Sequence, residues 1–125
     1  YSTLAQYVAA NPPSTSGAAI GIATVAGTIV DGEAPMGTAG GDTIAKLISE
    51  GLAEKKLKAL VLRVDSPGGS ALASERIRQA VAQAKAKGLP VIVSMGSVAA
   101  SGGYWVATAA QHIVAEPSTI TGSIG

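Results

Sequence analysis

The sequence predicts an α/β protein with a mainly parallel sheet, and three observations lead to that class. Two apolar runs, Ala59–Val64 and Val91–Ser94, flank a helical pattern, which is the order of a strand, a crossover helix and a parallel strand. Only 14% of the 125 residues are charged and 47% are hydrophobic, as expected for strands buried on both faces. Glycine occurs 16 times and phenylalanine is absent, which indicates close packing of small residues.

The first elements follow from the apolar and polar pattern in chain order. Ala18–Val25 and Thr28–Val30 are predicted to be two short strands. The glycine-rich stretch Asp31–Gly41 that follows them is typical of a loop. Asp42 is expected to cap a helix that runs to about Ala53.

The second part of the chain repeats a strand, a loop and a helix twice. The predicted elements are the strand Ala59–Val64, the loop Asp65–Ser70, the helix Ala71–Lys87, the strand Val91–Ser94, the loop Met95–Ala100, the helix Ser101–Ala110 and the short strand Gln111–Ala115. The apolar spacing of the first helix predicts a buried face of Ala73, Ile77, Ala80, Val81 and Ala84. Gly88 and Pro90 are expected to end that helix.

The composition excludes several classes of protein. A net charge of +1 provides no strong field for nucleic acid, so we expect no nucleic-acid partner. Cysteine is absent, which removes disulfides and thiolate zinc sites. The glycine patterns of nucleotide-binding loops do not occur in the sequence either. We therefore expect neither a metal nor a cofactor.

Residues 1–30 and 89–115 are free of charge and long enough to be checked as membrane spans. Both are interrupted by proline, glycine or serine, and no basic segment opens the chain, so neither a span nor a signal peptide is predicted. The chain has no initial methionine. We expect a piece of a longer protein, in which residues 1–17 form a linker from a preceding segment and residues 18–125 form a partial domain.

Two small-residue loops follow the two buried strands, at the edge where α/β sheets usually bind ligands. Gly68 and Gly69 have no side chains to shield their N–H groups from a substrate oxygen. Ser101 and Gly102 resemble the G-x-S-x-G turn of a nucleophilic serine, with Ala99 replacing the first glycine. Together the loops would supply a nucleophile and amide donors for acyl transfer. The plain alternatives are an ordinary turn in the first loop and a serine that only caps a helix.

A nucleophilic serine needs a general base to take its proton. The sequence offers no suitable residue for this role. His112 lies eleven positions beyond Ser101 across a predicted helix, or some 15 Å away at about 1.5 Å per residue. We therefore expect it on a strand and not in a dyad. The lysines all precede Ser101 and are predicted to be solvated: Lys46, Lys55, Lys56, Lys58, Lys85 and Lys87. The base is expected to lie outside this chain.

Three motifs together resemble the signal peptide peptidase A (protease IV) family of serine peptidases. They are, in order, LRVDSPGGS at residues 62–70, MGSVAASGGYW at residues 95–105 and TGSIG at residues 121–125. The segment Gly40–Thr43 most resembles the second half of the long, tandem form of this family. The resemblance covers nearly everything from Ala18 onward.

This resemblance implies a Clp protease/crotonase-like α/β fold, built from stacked ββα units with a mainly parallel sheet. It implies a serine endopeptidase of the Ser-Lys dyad type that degrades cleaved signal peptides and other apolar peptides. Ser101 would be the nucleophile, and the Ser123 hydroxyl would orient a lysine base. In long members of the family that lysine comes from the first half of the chain, and in short members it follows TGSIG.

The oxyanion hole is assigned to the N–H groups of Gly68 and Gly102, which are expected to converge near the Ser101 hydroxyl. Gly69 is assigned to substrate binding and is the second choice of donor. Residues 18–125 would then be a partial peptidase domain that carries the nucleophile.

The resemblance also implies an N-terminal span in the bacterial cytoplasmic membrane, a catalytic part outside the cytoplasm and a ring-like homo-oligomer. Met36, Tyr104 and Trp105 are apolar residues that we expect other subunits or the rest of the chain to cover, although Trp105 could equally be core. The predicted partners are peptide substrates, the remaining part of the same chain and further copies of it.

Two alternatives keep the same fold. A crotonase-type acyl-CoA enzyme would use the two amide donors to hold a thioester enolate and would need no nucleophilic serine. A catalytically inactive scaffold module would lack a lysine facing Ser101 in the full assembly. Labelling of Ser101 by a fluorophosphonate separates the peptidase from the acyl-CoA enzyme.

Overall fold

A computed structural model describes residues 3–12, 17–54 and 57–124 of the chain. The elements are α1 (Leu4–Ala10), β1 (Ala19–Ala26), β2 (Ile29–Val30), β3 (Ala39–Gly40), α2 (Gly41–Glu54), β4 (Leu57–Ser66), α3 (Ala71–Ala86), β5 (Val91–Ala100), α4 (Gly102–Ala107), β6 (His112–Val114) and β7 (Ile120–Gly122). Helix α1 falls within the predicted linker, and none of its residues is buried. No helix in the described ranges is long and apolar enough to cross a membrane.

The main sheet is parallel throughout the described residues. Its strand order is β1-β4-β5-β6, and β7 also pairs with β5. Strands β6 and β7 pair with successive parts of β5, at Ile92–Ser94 and at Val98–Ala100. Because all these strands are parallel, their carboxyl ends lie at one edge of the sheet. The predicted class of mainly parallel α/β sheet is confirmed.

Helix α3 packs on the sheet through the face predicted from its apolar spacing. Its buried residues are Ala73, Ser74, Ile77, Ala80, Val81 and Ala84. All of these except Ser74 join the inward side chains of β4 and β5 in one apolar core. Ser70 caps the helix by accepting a hydrogen bond from Ala73 N at 3.2 Å. This cap and the buried face fix the direction in which the chain leaves the SPGG loop.

The boundary between β5 and α4 differs from the sequence prediction. Strand β5 continues through Met95–Ala100, the segment predicted as a loop, and α4 begins only at Gly102. Ala99 pairs with β4 on one side and with the unpredicted strand β7 on the other. These two partners satisfy the backbone of a segment whose small side chains carry no strand pattern.

The start of α2 also differs from the prediction. The helix begins at Gly41, so Asp42 lies in its first turn and is not the capping residue. The Asp42 N–H donates to Gly32 O at 3.0 Å. Its carboxylate instead forms an ion pair with Arg76 of α3, at 2.6 Å. Asp42 therefore connects two helices.

Candidate active site

Ser101 lies at the carboxyl edge of the sheet, between β5 and α4. Its backbone has φ 50° and ψ −122°, a conformation that costs a residue with a side chain about 1–3 kcal/mol. The Ser101 N–H donates to Gly122 O at 2.8 Å, and its carbonyl accepts from Trp105 N at 2.9 Å. Ser101 occupies the N-cap position of α4, but its side chain makes no capping hydrogen bond there.

Gly102 and Gly103 allow α4 to begin directly against its neighbours. A Cβ on Gly102 would collide with Ser74 Oγ, and one on Gly103 would lie 2.7 Å from Ser66 O. Both glycines are buried. Any side chain at these positions would displace the helix from α3 and β4, so the S-G-G sequence has a steric cause at this turn.

The SPGG loop is fixed from two sides. Buried Ser66 donates its hydroxyl to Gly27 O at 2.6 Å and accepts from Gly68 N at 3.1 Å. On the other side, Ile29 N donates to Gly68 O at 2.9 Å and Ile29 O accepts from Ser70 N at 2.8 Å. These bonds hold the loop beside the start of α4. The loop is therefore more than an unsupported turn.

The two predicted loops are neighbours. A Cβ placed on Gly68 would lie 2.6 Å from Gly102 N and 2.8 Å from Ser101 Cβ. Gly68 N–H is already engaged with Ser66 Oγ, whereas Gly69 N–H and Gly102 N–H have no acceptor among the described residues. The roles of Gly68, Gly69 and Gly102 as donors stay predictions, and Gly69 and Gly102 are the two with an unused hydrogen.

Asp65 shapes the end of β5 that carries Ser101. The pairing of β4 with β5 shifts between Val64 and Ser66, so β5 has extra residues opposite Asp65. The Asp65 carboxylate fills this irregularity by accepting from Val98 N at 3.0 Å. Gly96 makes room for it, because a Cβ there would lie 2.8 Å from Asp65 Cγ. This bulge sets the angle at which β5 reaches the serine.

A cavity of about 250 Å³ opens beside Ser101 and is lined by Gly69, Ala71, Ser74, Ser101, Gly102, Trp105, Ser123 and Ile124. Ser123 enters it because β7 pairs with β5 up to Ala100 and Gly122, which brings the two following residues side by side. Ser123 also has a positive φ, 57°. The cavity thus brings together Ser101, Ser123, Gly69 and Gly102 of the predicted site residues. The described bounds end at Ile124, so Gly125 of the TGSIG motif lies outside them.

Glu75 and Arg78 of α3 contact this site through Trp105. Two guanidinium nitrogens of Arg78 donate to the Glu75 carboxylate at 2.7 and 2.8 Å, and Trp105 Nε1 donates to Glu75 Oε2 at 2.8 Å. Hydrogen bonds from Arg78 and then from Trp105 lower the pKa of Glu75 to about 2. Nothing in the sequence indicated this cluster, because Trp105 lies on another helix, 30 positions after Glu75.

No described lysine or histidine lines the cavity at Ser101. Lys46, Lys58, Lys85 and Lys87 are exposed, and His112 lies exposed on β6, as predicted. Lys55 and Lys56, predicted to occupy a surface turn, lie outside the described residues. The described ranges also contain no cluster of metal-ligating side chains.

Replacing Gly68 with alanine is expected to destabilise the protein much more than Gly88→Ala. Both glycines have a positive φ, 96° and 83°, which costs a side chain roughly 1–2 kcal/mol. Nothing lies within 4 Å of a Cβ on Gly88, whereas a Cβ on Gly68 meets the Gly102 backbone. We expect Gly68→Ala to lower the free energy of unfolding by about 3 kcal/mol or more, measured by thermal unfolding of the full-length protein. Equal losses for the two variants would contradict the close packing of the loops.

Fold and site define a Clp protease/crotonase-like α/β protein with a strained serine at the carboxyl edge of its sheet. Similar solved structures include a membrane-bound stomatin-specific protease (TM-score 0.60, 22% identity, 85% of this chain and 46% of that one) and a ClpP1 variant of Listeria monocytogenes (0.56, 18%, 71% and 46%). A Pseudomonas malonate decarboxylase in complex with coenzyme A also matches (0.66, 22%, 90% and 51%). At these identities the similarity shows the fold alone.

Sequence comparisons match the chain to a peptidase family. The model of peptidase family S49 matches residues 83–125. The chain is 55% identical to Protease 4 of Salmonella typhi over 113 residues and 54% identical to Protease 4 of Haemophilus influenzae over 106 residues. These matches cover 90% and 85% of this chain but only 18% and 17% of the relatives. These matches confirm the resemblance to peptidase family S49 that the motifs indicate.

Proposed function

We propose that this chain supplies the nucleophile and the oxyanion-binding backbone of a serine endopeptidase that uses a serine–lysine dyad. Its substrates would be cleaved signal peptides and other apolar peptides. The similarity to family S49 and to the Protease 4 sequences supports the peptidase class. The dyad and the substrate class rest on the motif resemblance and on the chemistry of the site.

The observation that carries the proposal is the backbone of Ser101. A residue with a side chain is held at φ 50° and ψ −122° between two small-residue neighbours, and its hydroxyl caps nothing. Glycine would adopt this conformation with less strain. Strain of this kind persists where the surrounding structure enforces it, often at sites where it is part of the mechanism. A serine presented in this way is suited to attack a substrate carbonyl.

In the proposed mechanism Ser101 Oγ attacks the scissile carbonyl carbon and its proton passes to the lysine base. The carbonyl oxygen becomes an oxyanion, which accepts hydrogen bonds from Gly102 N–H and from a glycine of the SPGG loop. The exposed Gly69 lines the cavity, and its N–H has no acceptor within the described ranges. Gly68 would contribute only by sharing the hydrogen that it donates to Ser66. The base then protonates the leaving amine, and water releases the acyl group.

The base lysine is proposed to come from a part of the protein beyond this chain, and the Ser123 hydroxyl is proposed to orient it. Ser123 lines the same cavity as Ser101, and it is exposed. The exposed positions of Lys46, Lys58, Lys85 and Lys87 support this assignment.

The proposal extends to location and partners. The resemblance favours attachment to the bacterial cytoplasmic membrane with the catalytic part outside the cytoplasm, and assembly into a ring of identical subunits. Ile20 and Ile22 of β1 are 62% and 73% exposed, and Met36 is fully exposed. Apolar side chains in such positions support burial by the rest of the chain or by other subunits. Sedimentation of a well-behaved monomer at high concentration would count against the ring.

The test of the proposed function is labelling of the full-length protein with a fluorophosphonate, followed by peptide mapping. We expect one modified residue, Ser101, and no label in Ser101→Ala. An acyl-CoA enzyme or an inactive scaffold of this fold has no activated serine, so an unlabelled wild-type protein would overturn the proposal. The CoA-bound malonate decarboxylase shares the fold only, and no described residue favours a thioester over a peptide.

A further inference from the structure

Trp105 forms one side of the cavity at Ser101. It lies one helical turn after the serine and is joined to it by the backbone bond from Trp105 N to Ser101 O, at 2.9 Å. The indole lines the cavity together with Ile124, yet it remains 43% exposed. A large aromatic side chain with this exposure would have freedom to rotate unless other groups held it.

Two residues of α3 hold the indole in one orientation. Glu75 accepts the indole N–H at 2.8 Å, and the Arg78 guanidinium lies over the ring, 5.5 Å from its centroid. Arg78 also grips Glu75 with two nitrogens, and Gln79 Nε2 donates to the same carboxylate at 3.0 Å. Glu75 therefore contacts the edge of the ring and Arg78 contacts one face, and the hydrogen bonds between Glu75 and Arg78 hold both side chains in place.

From this geometry we infer that Glu75 and Arg78 are positioning residues that hold the Trp105 indole as a rigid apolar side of the cavity, and that Trp105 selects substrates with a bulky apolar side chain next to the scissile bond. The inference rests on the proposed function. Neither Glu75 nor Arg78 lines the cavity, so both act through the indole. A fixed surface favours binding because no rotational freedom is lost when the peptide arrives.

An ordinary surface ion pair is the simpler explanation, and the same helix provides one for comparison. Arg76 pairs with Asp42 of α2, and their side chains are 62% and 42% exposed. Arg78 and Glu75 are about 29% and 32% exposed, and their pair carries two further donors and an aromatic ring. An isolated exposed pair contributes little, whereas a two-nitrogen contact within a network fixes geometry.

The test compares full-length variants on two peptides that differ only in Leu or Ala immediately before the cleaved bond. Glu75→Ala and Arg78→Met are expected to raise KM for the Leu peptide roughly tenfold, the effect of losing one orienting contact, with kcat nearly unchanged. The preference for Leu over Ala should fall accordingly. Glu75→Gln keeps an acceptor for the indole N–H and should restore most of the preference. Arg76→Met, the matched control on α3, should behave as the wild type.

Two further measurements separate the possible failures. Acrylamide quenching of Trp105 fluorescence, taken as the difference from Trp105→Phe, should increase in Glu75→Ala and stay unchanged in Arg76→Met. Fluorophosphonate labelling of Ser101 should persist in every variant. An unchanged Leu preference and unchanged quenching in both Glu75→Ala and Arg78→Met, with Ser101 still labelled, would overturn the inference and leave the proposed function intact. A wild-type protein that fails to label would overturn both.

Discussion

Replacing Ser101 with alanine in the full-length protein is expected to lower kcat for peptide hydrolysis by about 10⁴-fold or more, as loss of the nucleophile does in serine peptidases generally. The serine side chain makes no hydrogen bond to its own helix. The backbone donors at Gly69 and Gly102 are left in place, so KM should change little. Alanine adopts φ 50° at the same cost as serine, so thermal stability should also change little.

Ser97→Ala is the matched control for this experiment. Ser97 lies on the same strand as the residues before Ser101, is exposed, and lies outside the cavity at the nucleophile. Its removal should leave kcat and KM as in the wild type. Steady-state kinetics with an apolar peptide and thermal unfolding of the three proteins give the comparison. Substantial hydrolysis by Ser101→Ala would show that the nucleophile is another residue.

The sequence was sufficient to predict the elements whose pattern matches a single packing surface. In α3 the buried positions recur at helical spacing, and the predicted Ala73, Ile77 and Ala84 are all buried in the structure. The apolar strand β4 likewise lies between two neighbouring strands, β1 and β5. In both cases local pattern and tertiary burial favour the same conformation, which is why the predictions held.

The sequence was insufficient where a segment takes its conformation from distant partners. Most residues of Met95–Ala100 have small side chains, and polar and apolar residues do not alternate clearly along the segment. It forms a strand because β4 and β7 supply hydrogen-bond partners. Strand β7 itself has three residues and no buried side chain. Nothing in the sequence indicated that the Asp65 carboxylate accepts a hydrogen bond from Val98 N, 33 positions away. Such contacts depend on strand register, which local composition does not reveal.

The candidate site likewise has one part that the sequence predicted and one part that it did not. The S-G-G and SPGG motifs led to Ser101 and to the adjacent glycines, since serine and glycine at a strand-to-helix turn have few structural roles. The motifs did not indicate that Ser66 engages Gly68 N–H, which leaves Gly69 with the unused donor. They also did not lead to Glu75 and Arg78, whose importance arises only when α3 and α4 meet at Trp105.

The 125-residue chain alone is expected to hydrolyse peptides about 10²–10⁴-fold more slowly than the full-length protein, the range that general-base assistance supplies. Attack by a serine requires a group that takes its proton in the transition state. Lys46, Lys58, Lys85 and Lys87 are exposed in this chain, and His112 is exposed on β6. None of these five residues lines the cavity at Ser101.

Two measurements on the isolated chain separate a missing base from a disordered site. Circular dichroism and thermal unfolding first establish whether the chain is folded. A folded chain should then bind an apolar product-like peptide weakly, because the cavity and the backbone donors belong to its own residues. If it also matches the full-length rate, the base lies within the chain, and Lys55→Met and Lys56→Met become the variants to examine. Loss of hydrolysis with retained peptide binding places the base in the remaining part of the protein, and adding that part in trans should then restore the rate.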